Sequence, residues 1–126
     1  MTIKSVNGPE VTIVDGNDSN RCFNITQPIS IYGLTITNGY TTFNGAGIYC
    51  NDNSTIVSNC IFDSNHADIN GGGMYKGKAI DCKFNENTAN SYGGGSYLSI
   101  ATNCTFNENS ATQDGGGAYS GTVYIS

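Results

Sequence analysis

Apolar and polar residues alternate in short runs along this chain, and Asn, Asp and Gly punctuate the gaps between runs. In "CIFDSN" the apolar positions are Cys60 and Phe62; "LTITNG" repeats the arrangement with Leu34 and Ile36, and "VTIVDG" with Val11 and Ile13. A period of two, rich in aromatic and β-branched side chains, predicts strands. Nowhere does an apolar face at helical spacing persist, and triplets of glycine would break a helix. Three short strands are expected in each unit. One is the "GGGxY" segment, the next precedes each Cys ("TIVSN", "KAID", "IATN"), and the third is "CxFxxN". Asn, Asp and Gly are expected at the corners, where they tolerate left-handed backbone geometry.

The alternation is itself periodic. Cys60, Cys82 and Cys104 are 22 residues apart, as are Phe62, Phe84 and Phe106, then Asn65, Asn87 and Asn109. The glycine triplets beginning at Gly71, Gly93 and Gly115 keep the same step, and "GAGIY" (45–49) precedes "GGGMY" by 26. The four extra residues fall in the polar stretch after Tyr49, as a loop insertion would. Aligning the early runs on the later ones sets Val11 and Leu34 in the Cys column, and Ile13 and Ile36 in the Phe column. Ser126 falls where the next Cys would stand.

A unit this short cannot bury its own apolar face, but copies stacked on one another can. The predicted fold class is therefore all-β, a parallel β-helix (solenoid) of about five coils, spaced by about 4.8 Å. Residues 1–126 form a single domain, with 1–32 as an N-terminal leading coil and 33–126 as the repeats. Equivalent residues then lie above one another. Cys60, Cys82 and Cys104 become an interior ladder, Phe62, Phe84 and Phe106 a second, and Asn65, Asn87 and Asn109 an amide ladder at a corner.

Composition narrows the setting. The 126 residues include 17 Gly, 17 Asn, 8 Tyr and no Trp, and only 12% are charged. That is about half the usual proportion, so solubility rests on Asn, Ser and Thr. A net charge of -5 argues against nucleic acid or an anionic membrane as partner. No apolar stretch approaches the roughly 18 residues of a membrane span, so direct membrane insertion is not expected. "MTIKSVNGPE" lacks the apolar core of a signal peptide, so a secreted protein would contain this chain as an excerpt. Five Cys is an odd number, which leaves at least one thiol without an intramolecular partner.

FxxN at Phe62–Asn65, Phe84–Asn87 and Phe106–Asn109, alternating with GGGxY or GAGIY, resembles the FxxN and GGA-I/L/V repeats of the chlamydial polymorphic membrane proteins. More broadly it resembles the right-handed parallel β-helix repeats of large bacterial surface proteins. The likeness covers roughly residues 33–126. It implies a right-handed coil and a secreted or surface-displayed, adhesin-like protein, outer membrane-associated at full length. The sequence departs from the family where an aliphatic residue is usual: Ile48, Met74, Ser96 and Ala118 vary, and a Tyr follows each.

Candidate chemistry is sparse. β-Helical polysaccharide lyases and hydrolases need several carboxylates on neighbouring coils, with Arg or Lys beside them. Here the sole Arg is Arg21, and Asp63 and Asp81 have Asn in the neighbouring rungs of their columns, so no catalytic residue is assigned. The glycine triplets lack the Lys and helix of a phosphate loop. The cysteines follow the core period without CxxC spacing, which favours buried thiols over metal ligands, and neither metal nor cofactor is expected. His66 reads as a solvated loop residue. Tyr49, Tyr75, Tyr97 and Tyr119 remain as a possible partner-binding ridge. They either project on one side for protein or glycan contact, or pack on each other or inward.

The function expected is a non-catalytic structural or adhesive segment of a secreted or cell-surface protein. Its partner would be a host or cell-surface protein or a glycan. The alternative is a fragment of a carbohydrate-active β-helix whose catalytic coils lie elsewhere. The "TVYIS" strand also suggests self-association through the C-terminal edge.

Overall fold

The structure, a computed structural model, describes residues 1–124. Ile125 and Ser126, and with them the expected place of Ser126 in the cysteine column, lie outside the described residues.

Strands of two or three residues stack in parallel register into four sheets that form the walls of a β-helix. The first sheet runs through Thr2–Lys4, Ser30–Tyr32, Ile56–Ser58, Lys78–Ile80, Ile100–Thr102 and Thr122–Tyr124. The second holds Ile13–Asp15, Thr35–Thr37, Ile61–Asp63, Lys83–Asn85 and Thr105–Asn107. The third is built from Tyr40–Thr41, His66–Ala67, Thr88–Ala89 and Ser110–Ala111. The fourth contains Phe23–Ile25, Ile48–Cys50, Met74–Tyr75, Ser96–Tyr97 and Ala118–Tyr119. The third sheet was not expected. Its strands are two residues long, too short for a period of two to register, so each coil after the leading one has four strands rather than three.

In the repeat coils the pairing follows the sequence period, with Phe62 beside Phe84 and Phe84 beside Phe106. The four-residue insertion falls between Tyr49 and Ile56: Tyr49 pairs with Tyr75 across 26 positions, whereas Ile56 pairs with Lys78 across 22. The leading coil corrects the expected alignment by one residue. Val14, not Ile13, pairs with Ile36, and Thr12 rather than Val11 stands level with Leu34. Val11 and Ile13 are exposed, at 66% and 58%. Ile13 and Val14 are adjacent β-branched residues, so alternation fits either register, and a one-residue slip exchanges the two faces. The turn decides between them. Gly16 is packed so closely that a Cβ there would stand 2.7 Å from the Asn38 carbonyl oxygen, which fixes where the strand must end.

The interior balances volume between opposite walls. Inward positions of the first sheet shrink along the rod from Ile31 through Val57 to Ala79 and Ala101. Those of the fourth shrink from Ile48 and Met74 to Ser96 and Ala118, while the second grows from Val14 and Ile36 to the three phenylalanines. Constant wall spacing demands this compensation, because close packing tolerates neither voids nor overlap. Phe62, Phe84 and Phe106 stack with ring centroids 4.5 Å and 4.8 Å apart, and the first two are fully buried.

Each glycine of a triplet has its own reason. Gly71 sits at φ +70°, a left-handed position at the corner. At Gly72 a Cβ would meet the carbonyl of Gly94 at 2.5 Å, and at Gly73 it would lie 3.0 Å from the Phe84 ring. The large phenylalanine and the bare backbone facing it are one feature. Gly73 therefore faces the core, whereas Tyr75 faces out, so the two do not share a face.

Asn65 and Asn87 are fully buried and fill their hydrogen-bonding capacity along the stack. The Asn65 side-chain amide donates to Asn87 Oδ1 at 2.9 Å and to the Ile36 carbonyl at 3.0 Å, and its own Oδ1 accepts from the Gly39 N–H at 2.8 Å. Asn87 repeats the pattern toward Asn109 at 3.0 Å and the Phe62 carbonyl at 2.9 Å. Other corners are less selective than expected. Left-handed backbone is adopted by Asn59, Asp81 and Asn103, but also by Ser64, Glu86 and Glu108, and by Lys76, Leu98 and Ser120.

Candidate partner-binding ridge

In the fourth sheet, residues alternate between the core and the outside. Met74 is fully buried, so its neighbour Tyr75 points outward, and parallel register repeats that choice in every coil. Tyr49, Tyr75, Tyr97 and Tyr119 are all half-buried and form one continuous external stack. Their ring centroids are 5.1, 5.5 and 5.6 Å apart, with interplanar angles of 2° to 9°. The column thus faces out and packs on itself. Each inner ring spends both faces on its neighbours, so the ridge offers edges and a row of phenolic hydroxyls rather than a stacking platform. Burial within the stack raises the Tyr75 phenol above its ordinary value, with a further contribution from Tyr49.

Cations close the ridge at one end and flank its middle. The Arg21 guanidinium lies 4.9 Å from the Tyr49 ring centroid and donates to the Gly45 and Asn44 carbonyl oxygens at 3.0 and 2.8 Å. It occupies the place beneath Tyr49 that a further Tyr would fill, since the residue paired below is Asn24. Lys76 Nζ is 5.6 Å from the Tyr75 ring centroid. Sequence reasoning assigned Arg21 no structural role, because its partners are backbone carbonyls more than twenty residues away.

The remaining predicted residues are placed as follows. Cys60 and Cys82 stand in the core at 1% exposure, and Cys104 is half-buried. Cys60 Sγ accepts from the Leu34 N–H at 3.4 Å, and the Cys82 and Cys104 thiols donate to carbonyl oxygens of the preceding coil. The Cys82 thiol, hydrogen-bonded to its neighbours, is pushed up, and it holds the Cys104 thiol down at about 7. Among the described residues no group of three or more His, Cys, Asp or Glu is placed to hold a metal ion. Asp63 pairs with Asn85 in its column, so no second carboxylate adjoins it there.

His66 is not a loop residue. It lies in the third sheet, its ring 5.9 Å from Tyr40, with Nδ1 2.6 Å from Thr88 Oγ1 and Nε2 3.2 Å from Asp68 Oδ1. The Tyr40 hydroxyl donates to the other Asp68 oxygen at 2.8 Å, which raises the Tyr40 phenol. The signal that could have found this group is the 26-residue step from Tyr40 to His66, the same insertion-bearing step that relates Tyr49 to Tyr75.

Comparison with known proteins agrees with the repeat. No curated protein and no solved structure matches the chain. Residues 103–121 match the family described as the Chlamydia polymorphic membrane protein repeat. The matched segment is most of one coil, from the corner before Cys104 through Phe106, Asn109 and the last glycine triplet to the turn after Tyr119. The chain is a parallel β-helix of about five coils that carries, at 103–121, the Chlamydia polymorphic membrane protein repeat.

Proposed function

We propose that this chain is a non-catalytic, structural and adhesive segment of a secreted or cell-surface protein resembling the polymorphic membrane proteins. The observation that carries this reading is the repeat match at 103–121, which points to a protein of that surface-associated kind. The geometry supports it. A rod whose apolar side chains face inward presents its outer columns at fixed intervals of about 4.8 Å, so any surface feature is repeated rigidly along the axis. The outward tyrosines form such a column, and their hydroxyls are available to a host protein or glycan. Catalysis receives no support from the carboxylates, because the columns that hold Asp63 and Asp81 continue in Asn.

Attachment tests the proposal. Beads coated with the chain are expected to attach to cultured epithelial cells above uncoated beads, with free chain competing in a saturable way. Attachment no better than that of beads coated with an unrelated β-helix, across several cell types, would overturn the adhesive assignment.

A further inference from the structure

A groove of about 450 Å³ runs beside the tyrosine ridge, along the corner between the fourth and first sheets. Its lining includes Asn53, Lys76, Leu98, Ile100, Ser120 and Thr122, which come from four successive coils. Two breaks in the repeat build it. The four-residue insertion after Tyr49 supplies Asn53, whose Oδ1 accepts the Gly77 N–H at 2.8 Å and whose side-chain amide keeps two N–H groups to donate. The corner after each Tyr supplies Lys76, Leu98 and Ser120, all in left-handed backbone at φ 58°, 57° and 51°.

The chemistry of the lining is one-sided. Lys76, the Asn53 amide and the hydroxyls of Ser120 and Thr122 offer hydrogen-bond donors, while Leu98 and Ile100 form an aliphatic wall. Among the described residues no Asp or Glu lines the groove, and Lys76 has no carboxylate partner, although the chain carries a net charge of -5. Lys78 follows on the outer face of the first sheet, so two of the chain's five cations lie at this corner. An aliphatic patch on one coil, with the Asn53 amide and Lys76 cation on the coils before it and the Ser120 and Thr122 hydroxyls on the coil after it, matches a sugar ring that bears a carboxylate. Its C–H face lies on the apolar wall, and its acid and hydroxyl groups meet the donors.

We propose that this groove binds a segment of carboxylated polysaccharide, with Lys76 and Asn53 holding the carboxylate and Leu98 and Ile100 supporting the ring. The inference rests on the adhesive reading and names the ligand class of that surface. An extended saccharide chain suits the groove because its lining spans four coils along the rod, a length of about 14 Å at the strand spacing.

The test uses the 126-residue chain with carboxylated hexasaccharides as probes: oligogalacturonate, a hyaluronan fragment and a polysialic acid fragment. Methyl-esterified oligogalacturonate and poly-glutamate serve as controls. At least one carboxylated probe is expected to bind, and esterification is expected to weaken the galacturonate by about tenfold if that is the probe bound. Lys76→Asn and Leu98→Asn suit the test because Asn accepts left-handed backbone, so both variants should melt with the parent. Lys76→Asn should weaken binding by about tenfold, and Leu98→Asn by a smaller factor, whereas Lys4→Asn, far from the groove, should change nothing. Binding of none of the probes would overturn the proposal. Poly-glutamate binding equally well would also overturn it, showing a general affinity for polyanions. Probe recovered cleaved would instead assign the groove to a carbohydrate-active enzyme. Cell attachment that survives Lys76→Asn would leave the adhesive reading standing and sink the groove as its site. Probe binding without attachment would do the reverse.

Discussion

Phe84 shows how much one residue carries here. Its ring is fully buried, stacks on Phe62 below and Phe106 above, and closes against the bare backbone of Gly73. Phe84→Ala is expected to cost about 3–5 kcal/mol, because the rungs above and below are themselves stacked and cannot collapse into the cavity. Equilibrium urea unfolding measures this, and a midpoint unchanged from the parent would show that the column does not support the fold. Asn87 is the polar counterpart. Its side chain joins three coils through four hydrogen bonds, to Asn109 on one side, and to the Phe62 carbonyl and from Asn65 on the other. The Asn ladder therefore fixes the same register that the Phe ladder fills.

At the scale of elements, each strand is too short to be stable alone and gains its hydrogen bonds from the coils on either side. The strand Thr122–Tyr124 has only Ile100–Thr102 as neighbour among the described residues. The Thr122 N–H is used on Ser99 at 3.1 Å, so the next residue, Val123, directs its N–H toward the open edge. Such an edge is a template for another strand. The 126-residue chain is expected to self-associate through it, with sedimentation velocity showing species larger than monomer as concentration rises. Val123→Pro removes the edge donor and should return the chain to monomer with little change in melting temperature. A parent that sediments as monomer throughout would refute the idea.

For the whole molecule, the buried thiols link stability to alkaline pH. Burial pushes the Cys22 thiol from 9.0 up to about 11 and the Cys50 thiol up to about 12. In the unfolded chain both ionise near 9, so between pH 9 and 12 the unfolded state binds fewer protons than the folded one. The stability these groups contribute is complete below pH 9 and is lost as pH rises through 11 to 12. Thermal melts taken from pH 8 to 11 should fall for the parent and fall less steeply for Cys50→Ala. Parallel slopes would show that Cys50 ionises as freely in the folded chain as in the unfolded one.

The sequence by itself determined the period, the strand type, the coil count and the insertion after Tyr49, because in a solenoid each coil repeats the same environment and so selects the same residue. Phe84, Asn87 and Gly95 were legible for that reason. Tertiary structure alone decided what single-copy or non-periodic features do. The choice between Ile13 and Val14 turned on a glycine packed against the next coil, the two-residue third sheet was below the resolution of any alternation, and Arg21 found its acceptors on backbone carbonyls. The outward face of the tyrosines depended on which neighbour entered the core. The groove was invisible for the same reason: Asn53 and Leu98 lie 45 positions apart and in different motifs, and they line one corner only because stacking at the strand spacing brings four coils together.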